Sequence, residues 1–133
     1  MNTADIQERC TRVPFFRFLG FTVTEADENQ LMAEMPFEDR HIGNPVLETY
    51  HGGIIASFME AIASIHVLDD INAAPAKPIN LTVDYLRPGF SGTLRTRATI
   101  LRKGRRMASL ETVAWLEDET KPVAKGLFHF LLV

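Results

Sequence analysis

Residues 50–64 read YHGGIIASFMEAIAS, and this stretch decides the fold. A histidine and two glycines open a run that is apolar almost everywhere, with one acid, Glu60, in its middle. The run is long enough for a helix and carries no proline, so the sequence predicts one long helix over residues 52–68. Because apolar side chains cover most of its surface, this helix is expected at the centre of the molecule.

A thin polar stripe runs along the predicted helix. At about 100° per residue, the stripe consists of Gly53, Ser57, Glu60 and Ser64. A stripe that faces solvent normally carries several charges, whereas this one carries a single acid among small residues. Two interpretations stay open: the stripe is the floor of a cleft in which Glu60 works, or it faces solvent or another subunit and Glu60 only solubilises it.

Strand patterns flank the helix on both sides. Residues 3–11 are polar and helix-compatible, and residues 21–26 and 30–37 predict a hairpin. Four further strand patterns follow the helix at residues 79–86, 93–102, 105–117 and 122–133. In the first of these, apolar residues at positions 79, 81, 83 and 85 alternate with polar ones, which predicts a strand with one buried face.

The order of these elements indicates the fold class. Residues 38–51 contain Gly43 and Pro45 and have no steady period, so a long loop is predicted there. Residues 69–78 end the helix because Pro75 and Pro78 cannot continue it. Two strands, one long helix and four strands predict an α+β fold in which a mainly antiparallel sheet packs on the helix.

Composition narrows the class of protein. The 133 residues include 46% hydrophobic and 23% charged residues, with a net charge of -3, as in an ordinary globular protein. One domain over residues 1–133 is expected, in the cytoplasm, without affinity for nucleic acid or membranes. Cys10 has no cysteine partner, and the histidines lack metal-ligand spacing, so no metal site is predicted.

The start of the predicted helix offers a second chemical group. Backbone N–H groups at a helix N-terminus are unpaired and carry partial positive charge, so the amide of Gly52 can hold an oxyanion. Glu60 lies roughly 12 Å further along the same helix, too far to act on a carbonyl held by its own Gly52. Two antiparallel copies of the helix across a dimer axis would bring Glu60 of one chain to Gly52 of the other. The geometry therefore predicts a homodimer.

Three motifs in this order resemble a known family. They are HGG at residues 51–53 with an acid at the ninth position after the histidine, VDYLRPG at 83–89, and RKGRRMASLE at 102–111. Together they resemble the hotdog-fold acyl-CoA thioesterases of the phenylacetate-degradation type, over nearly the whole chain. The resemblance implies a sheet wrapped around one central helix, a homodimer that assembles further into a dimer of dimers, and no cofactor, since coenzyme A is part of the substrate.

The resemblance also implies roles for individual residues. The N–H of Gly52 would polarise the thioester carbonyl, and His51 would shape that wall of the pocket. Glu60 matches the acid that activates water or attacks directly, and glutamate here is typical of the branch that hydrolyses aromatic acyl-CoA esters. Ser64 matches a hydroxyl that orients water or substrate. An Asn or Gln usual six residues before the histidine is replaced by Pro45, and the adjacent Asn44 is the candidate for its role.

A group of basic residues is a candidate site for the phosphates of coenzyme A. It consists of Arg87 and the turn Lys103, Gly104, Arg105 and Arg106. The alternative interpretation is that these are solvated charges at strand ends. At the level of function, the alternative to an acyl-CoA thioesterase is a non-catalytic hotdog protein that binds acyl-CoA or another small ligand. Glu60 favours the enzyme, and the missing Asn or Gln favours the binding protein.

Overall fold

A computed structural model describes residues 2–68 and 76–132 of the chain. The helices are α1 (Thr3–Cys10), α2 (Pro14–Leu19) and α3 (Gly52–His66), with a 3-10 turn at Asp39–His41. The strands are β1 (Thr22–Ala26), β2 (Gln30–Met35), β3 (Ile42–Asn44), β4 (Thr49–Tyr50), β5 (Lys77–Tyr85), β6 (Leu94–Lys103), β7 (Met107–Trp115) and β8 (Ala124–Leu131).

Six of the strands form one antiparallel sheet in the order β1-β2-β6-β7-β8-β5. After β2 the chain forms the small β3-β4 pair and α3. It then returns to the sheet as β5, at the edge opposite to β1. The predicted hairpin of β1 and β2 and the four later strands are confirmed.

Helix α3 packs against the inner face of this sheet. Its apolar residues Phe58, Met59 and Ile62 are fully buried, and burial of each such side chain stabilises the fold by about 1.5–3 kcal/mol. They belong to the same hydrophobic core as strand residues such as Leu110 and Phe128, which are also fully buried and lie on the inner face of β7 and β8. The predicted α+β fold, a sheet around one central helix, is confirmed.

Strand β5 departs from the prediction of one buried face. Its apolar residues do share a face with the buried residues of β8, since Leu81 pairs with Phe128 and Tyr85 pairs with Ala124. Within one chain, however, Ile79 is 48%, Leu81 42% and Tyr85 53% exposed. The reason is that β5 is an edge strand and α3 lies mainly over the centre of the sheet.

The prediction of a long loop over residues 38–51 is wrong in part. The 3-10 turn and the β3-β4 pair lie in this segment, and their strands of three and two residues are too short to leave a period. Fully buried His41 holds the segment, because its Nε2 lies 2.8 Å from the carbonyl oxygen of Leu19 and its Nδ1 accepts from the Glu38 N–H at 3.2 Å.

The C-terminal end of α3 lies close to its prediction. The helix ends at His66 instead of residue 68, which is the usual uncertainty of a helix end. Of the predicted terminating segment, residues 69–75 lie outside the described residues. No helix in the described ranges is long and apolar enough to cross a membrane. The expected cytoplasmic location stays a prediction.

Candidate active site

Three of the four residues of the polar stripe of α3 line a cavity. Ser57, Glu60 and Ser64 form one side of a space of about 160 Å³, whose remaining lining residues are Phe15, Phe16, Ala61, Ala76, Pro78 and Phe130. The aromatic side chains come from α2 and β8, and Pro78 comes from the start of β5. The carboxylate thus lies in a partly enclosed, mainly apolar space of the kind that small-molecule sites use.

Burial changes the acidity of Glu60. The surrounding apolar groups raise the pKa of its carboxyl above the ordinary value of 4.5, because a charge is poorly solvated there. No salt bridge to Glu60 is found among residues 2–68 and 76–132. An ionised carboxylate without a neighbouring cation is a stronger base than an exposed glutamate, which suits it to take a proton from water or to attack a carbonyl.

Ser64 lies one turn beyond Glu60 on the same side of the cavity. Its hydroxyl donates a 2.8 Å hydrogen bond to the carbonyl oxygen of Ala61. The proton is therefore directed back onto the helix, and the oxygen presents lone pairs. In this arrangement Ser64 can accept a hydrogen bond from water but does not itself donate one into the cavity.

The N-terminus of α3 leaves one amide without a partner. The amides of Ile54 and Ile55 donate to the carbonyl oxygen of His51, and the amide of Gly53 donates to His51 Nδ1 at 2.8 Å. Within the described part of the chain, the Gly52 N–H has no acceptor. The residue predicted to polarise a carbonyl therefore carries a free donor at the positive end of the helix dipole.

His51 acts as the N-cap of α3, a role that the motif did not predict. Because Nδ1 accepts from Gly53, the neutral ring carries its proton on Nε2. The backbone of His51 is fixed from the other side, where its N–H donates to the carbonyl oxygen of His41 at 2.7 Å. A Cβ on Gly43 would lie 2.5 Å from the Cα of His51, so glycine at position 43 allows this close approach.

Asn44 is involved in the turn between β3 and β4. Its Oδ1 accepts from the amides of Val46 and Leu47 at 3.0 and 3.2 Å, and the residue is exposed. This is an Asx turn, which explains an asparagine before Pro45 without any catalytic role. The carbonyl-assisting role of Asn44 stays a prediction.

The residues predicted to bind coenzyme A do not lie together within one chain. Arg87 follows β5, at the end of the sheet where Tyr85 contacts Gly52, and its guanidinium donates to the carbonyl oxygen of Pro122 at 2.9 Å. Lys103 lies at the opposite end of α3, where its Nζ donates to the carbonyl oxygen of Val67 at 2.8 Å. Both side chains therefore have structural contacts that the sequence did not reveal.

The rest of the basic group forms the turn between β6 and β7. Gly104 closes this turn through its N–H, which donates to the carbonyl oxygen of Met107 at 2.8 Å. Arg105 and Arg106 are exposed at its tip. Because Lys103 contacts Val67, the turn lies near the C-terminal end of α3, about 20 Å along the helix from Gly52.

Tyr85 contacts the start of α3, and the sequence does not indicate this contact. Alternation places Tyr85 on the buried face of β5, but its hydroxyl donates to the carbonyl oxygen of Gly52 at 2.7 Å. The two residues are 33 positions apart, so periodicity could not pair them. The only signal in the sequence was a hydroxylated aromatic residue among the aliphatic residues of an alternating strand.

Metal chemistry has no candidate ligand set in the described ranges. No group of three or more His, Cys, Asp or Glu side chains there is placed to hold an ion. His41 is buried, and His129 lies 2.8 Å from Ser109 across β7 and β8. Burial raises the pKa of Cys10 to about 11, so its thiol is protonated near neutral pH.

The family follows from a comparison with protein-family models. The model described as the acyl-CoA thioesterase N-terminal domain matches residues 43–131, which include α3 and strands β5 to β8. The chain belongs to the acyl-CoA thioesterase family. The predicted enzyme class, hydrolysis of acyl-CoA thioesters, is thereby confirmed, and the non-catalytic alternative is not supported.

Relatives of this thioesterase span most of its length. Acyl-coenzyme A thioesterase 13 of Mus musculus is 26% identical over 128 residues, covering 94% of this chain and 90% of the relative. The medium/long-chain acyl-CoA thioesterase YigI of Salmonella typhimurium is 26% identical over 123 residues, covering 80% and 78%. A solved structure from the thioesterase superfamily superposes with a TM-score of 0.88 at 26% identity and covers 98% of both chains.

Two groups that suit thioester chemistry lie at separate places on α3. The free amide of Gly52 suits the oxygen of a thioester carbonyl, on which negative charge develops during attack. Glu60 suits the water or the carbon that is attacked, but Gly52 and His51 are not among the residues that line its cavity. A single chain thus has both groups and does not bring them to one substrate atom.

Proposed function

We propose that two copies of this thioesterase share each active site. The Gly52 N–H of one chain polarises the thioester carbonyl, and Glu60 of the other chain activates water or attacks directly. The observation that carries the proposal is the position of Glu60, an acid of raised pKa without a salt bridge in the described ranges, facing a cavity with three phenylalanines. His51 then positions the donor amide as the helix cap, and Ser64 accepts a hydrogen bond from the attacking water.

The exposed apolar face of β5 supports a dimer. Ile79, Leu81 and Tyr85 lie on the helix side of the edge strand, where a single chain leaves them about half exposed. Among the described residues β5 has a neighbouring strand on one side only, so its other edge can pair with another strand. If two copies of β5 pair about a two-fold axis, the two α3 helices run antiparallel beside it, and the apolar residues of each strand are covered.

The same arrangement would assemble the site for coenzyme A. In one chain, Arg87 lies near the N-terminal end of α3 and the turn of Gly104, Arg105 and Arg106 lies near its C-terminal end. Antiparallel helices place opposite ends side by side, so Arg87 of one chain approaches the partner's turn. Arg105 and Arg106 then supply exposed guanidinium groups for phosphates, while Lys103 caps the C-terminal end of α3 in its own chain.

We further propose the phenylacetate-degradation branch of the family, a single domain over residues 1–133 and a dimer of dimers. Glutamate at the acid position and the phenylalanines of the cavity support an aromatic acyl group. One core that includes both Ile6 and Phe130 supports the single domain. Met107 and Leu127 are exposed on the sheet face away from α3, and this face supports the second interface.

An assay of free-thiol release with phenylacetyl-, hexanoyl- and palmitoyl-CoA tests the proposal. We expect the aromatic ester to be hydrolysed fastest, and Glu60→Gln to lower kcat at least ~100-fold because the base or nucleophile is lost. In the wild type, kcat/KM should rise with pH through an apparent pKa above that of an ordinary glutamate, since the ionised form acts. Near wild-type turnover by folded Glu60→Gln on the best ester would remove Glu60 from the mechanism.

A further inference from the structure

One peptide unit at the start of α3 is held at both of its ends. Its carbonyl, that of Gly52, accepts from the Tyr85 hydroxyl at 2.7 Å, and its N–H, that of Gly53, donates to His51 Nδ1 at 2.8 Å. A peptide unit is planar, so fixing its C=O and N–H fixes its orientation. The direction of the chain on either side of it, including that of the Gly52 N–H, is constrained in turn.

The ring of Tyr85 lies against the same glycine. A Cβ placed on Gly52 would meet the Cζ of Tyr85 at 3.3 Å and its Cε1 and hydroxyl oxygen at 3.4 Å, tighter than most contacts of this kind. A side chain at position 52 would therefore require the ring to move by a few tenths of an ångström. Tyr85 nevertheless remains 53% exposed, so packing within its own chain does not account for a tyrosine here.

We propose that Tyr85 is a positioning residue of the thioesterase, whose hydroxyl orients the Gly52 peptide so that the Gly52 N–H points at the thioester oxygen. The inference rests on the proposed function, because it requires Gly52 as the donor. Tyr85 is also the last residue of β5, the edge strand through which the proposed dimer forms. It thereby connects the subunit contact to the oxyanion donor.

Removal of the hydroxyl alone tests this role. Tyr85→Phe keeps the ring, and we expect kcat on the best ester of the panel to fall about 10-fold, less than the effect of deleting an oxyanion donor outright. KM and the melting temperature should change little, because the coenzyme A contacts and the ring packing remain. The matched control is Thr82→Val, which removes a hydroxyl from the opposite face of the same strand and should leave kcat unchanged. An unchanged kcat in Tyr85→Phe overturns the proposal.

A double-mutant cycle separates positioning from a general structural effect. Gly52→Pro deletes the N–H, and Gly52→Ala adds a Cβ while keeping it. If Tyr85 acts through that N–H, Tyr85→Phe lowers kcat in the Gly52→Ala background and has no further effect in the Gly52→Pro background. Equal losses in both backgrounds refute the positioning role.

The same variants distinguish failure of this inference from failure of the proposed function. If folded Gly52→Pro keeps the kcat of Gly52→Ala, Gly52 is not the donor and both proposals are wrong. If Gly52→Pro is inactive while Tyr85→Phe matches the wild type, the composite site stands and Tyr85 has no part in orienting it. Should Gly52→Pro not fold, the comparison of Tyr85→Phe with Thr82→Val still decides the inference.

Discussion

The shared active site can be tested with two variants, Gly52→Pro and Glu60→Gln. Each variant removes one of the two groups of the proposed site and keeps the other. The structure accommodates both changes. His51 has ψ 133°, the extended conformation required before proline, and the Gly52 N–H that would be lost has no acceptor in the described ranges. The added Cβ meets the ring of Tyr85, so Gly52→Ala, with the same contact and an intact N–H, is the control for crowding.

The expected magnitudes follow from the length of the helix. Eight residues at 1.5 Å each separate Gly52 from Glu60 by about 12 Å, whereas both groups must reach one thioester. In either parent homodimer every site lacks one group, and we expect at least ~100-fold less activity than the wild type. In a mixed dimer one site collects both defects and the other is intact. Random exchange makes about half of the dimers mixed, so activity should recover to about 25% of the wild type.

The assay is free-thiol release before and after the two variants exchange subunits. Mass spectrometry of intact dimers measures the mixed fraction, and circular dichroism establishes that Gly52→Pro is folded. If mixed dimers form and the activity stays at the level of the parents, the shared site is refuted, and Glu60 acts within its own chain.

Two further predictions concern charges at the ends of α3. Joint substitution of Arg105 and Arg106 by alanine should raise KM for acyl-CoA several-fold with little change in kcat, and the difference in KM from the wild type should shrink at high salt. An equal loss of kcat/KM with a thioester that lacks the nucleotide would contradict phosphate binding. Burial lowers the pKa of His66 below 6.5, and its Nε2 has no hydrogen-bond partner among the described residues. Below pH 6.5 the unfolded chain therefore binds a proton at His66 that the folded chain does not bind. The free energy of unfolding in urea should therefore fall from pH 7 to pH 5, and less so in His66→Gln; an identical pH dependence in both proteins would contradict this.

The central helix and the long strands could be predicted because their periods are strong. An apolar run of helical length gave α3 to within two residues at its C-terminal end, and alternation gave β5 to β8. Alternation indicates that one face of a strand is buried, but it does not indicate what buries it. The exposure of Leu81 within one chain therefore could not be predicted from the sequence. The β3-β4 pair could not be predicted either, because its strands are too short to show a period.

The individual roles of polar residues were harder to predict, because they depend on contacts distant in sequence. For Lys103 the sequence offers two interpretations, a phosphate ligand or a solvated charge at a strand end, and neither predicts its hydrogen bond to a carbonyl oxygen 36 residues away. The contact between Tyr85 and Gly52 spans 33 residues. The sequence alone could indicate Glu60 as a candidate, because its signal is local: one acid on an otherwise uncharged stripe of a helix.

The lack of a cation beside Glu60 in the described ranges has two effects. It leaves the desolvation of the carboxylate uncompensated, and it makes the carboxylate a stronger base. A cation beside this carboxylate would favour the ionised form and offset the desolvation that raises its pKa. The same cation would lower the proton affinity of the Glu60 carboxylate, which would then be a weaker base toward water and a weaker nucleophile toward a thioester. The described residues place small hydroxyls and phenylalanines around Glu60 instead, and the salt bridges lie elsewhere, between pairs such as Arg12 and Glu8 on the surface of α1 and after it. Burial in a core helix destabilises the charged form of this acid. Such a residue is expected at a position that is selected for function and not for folding.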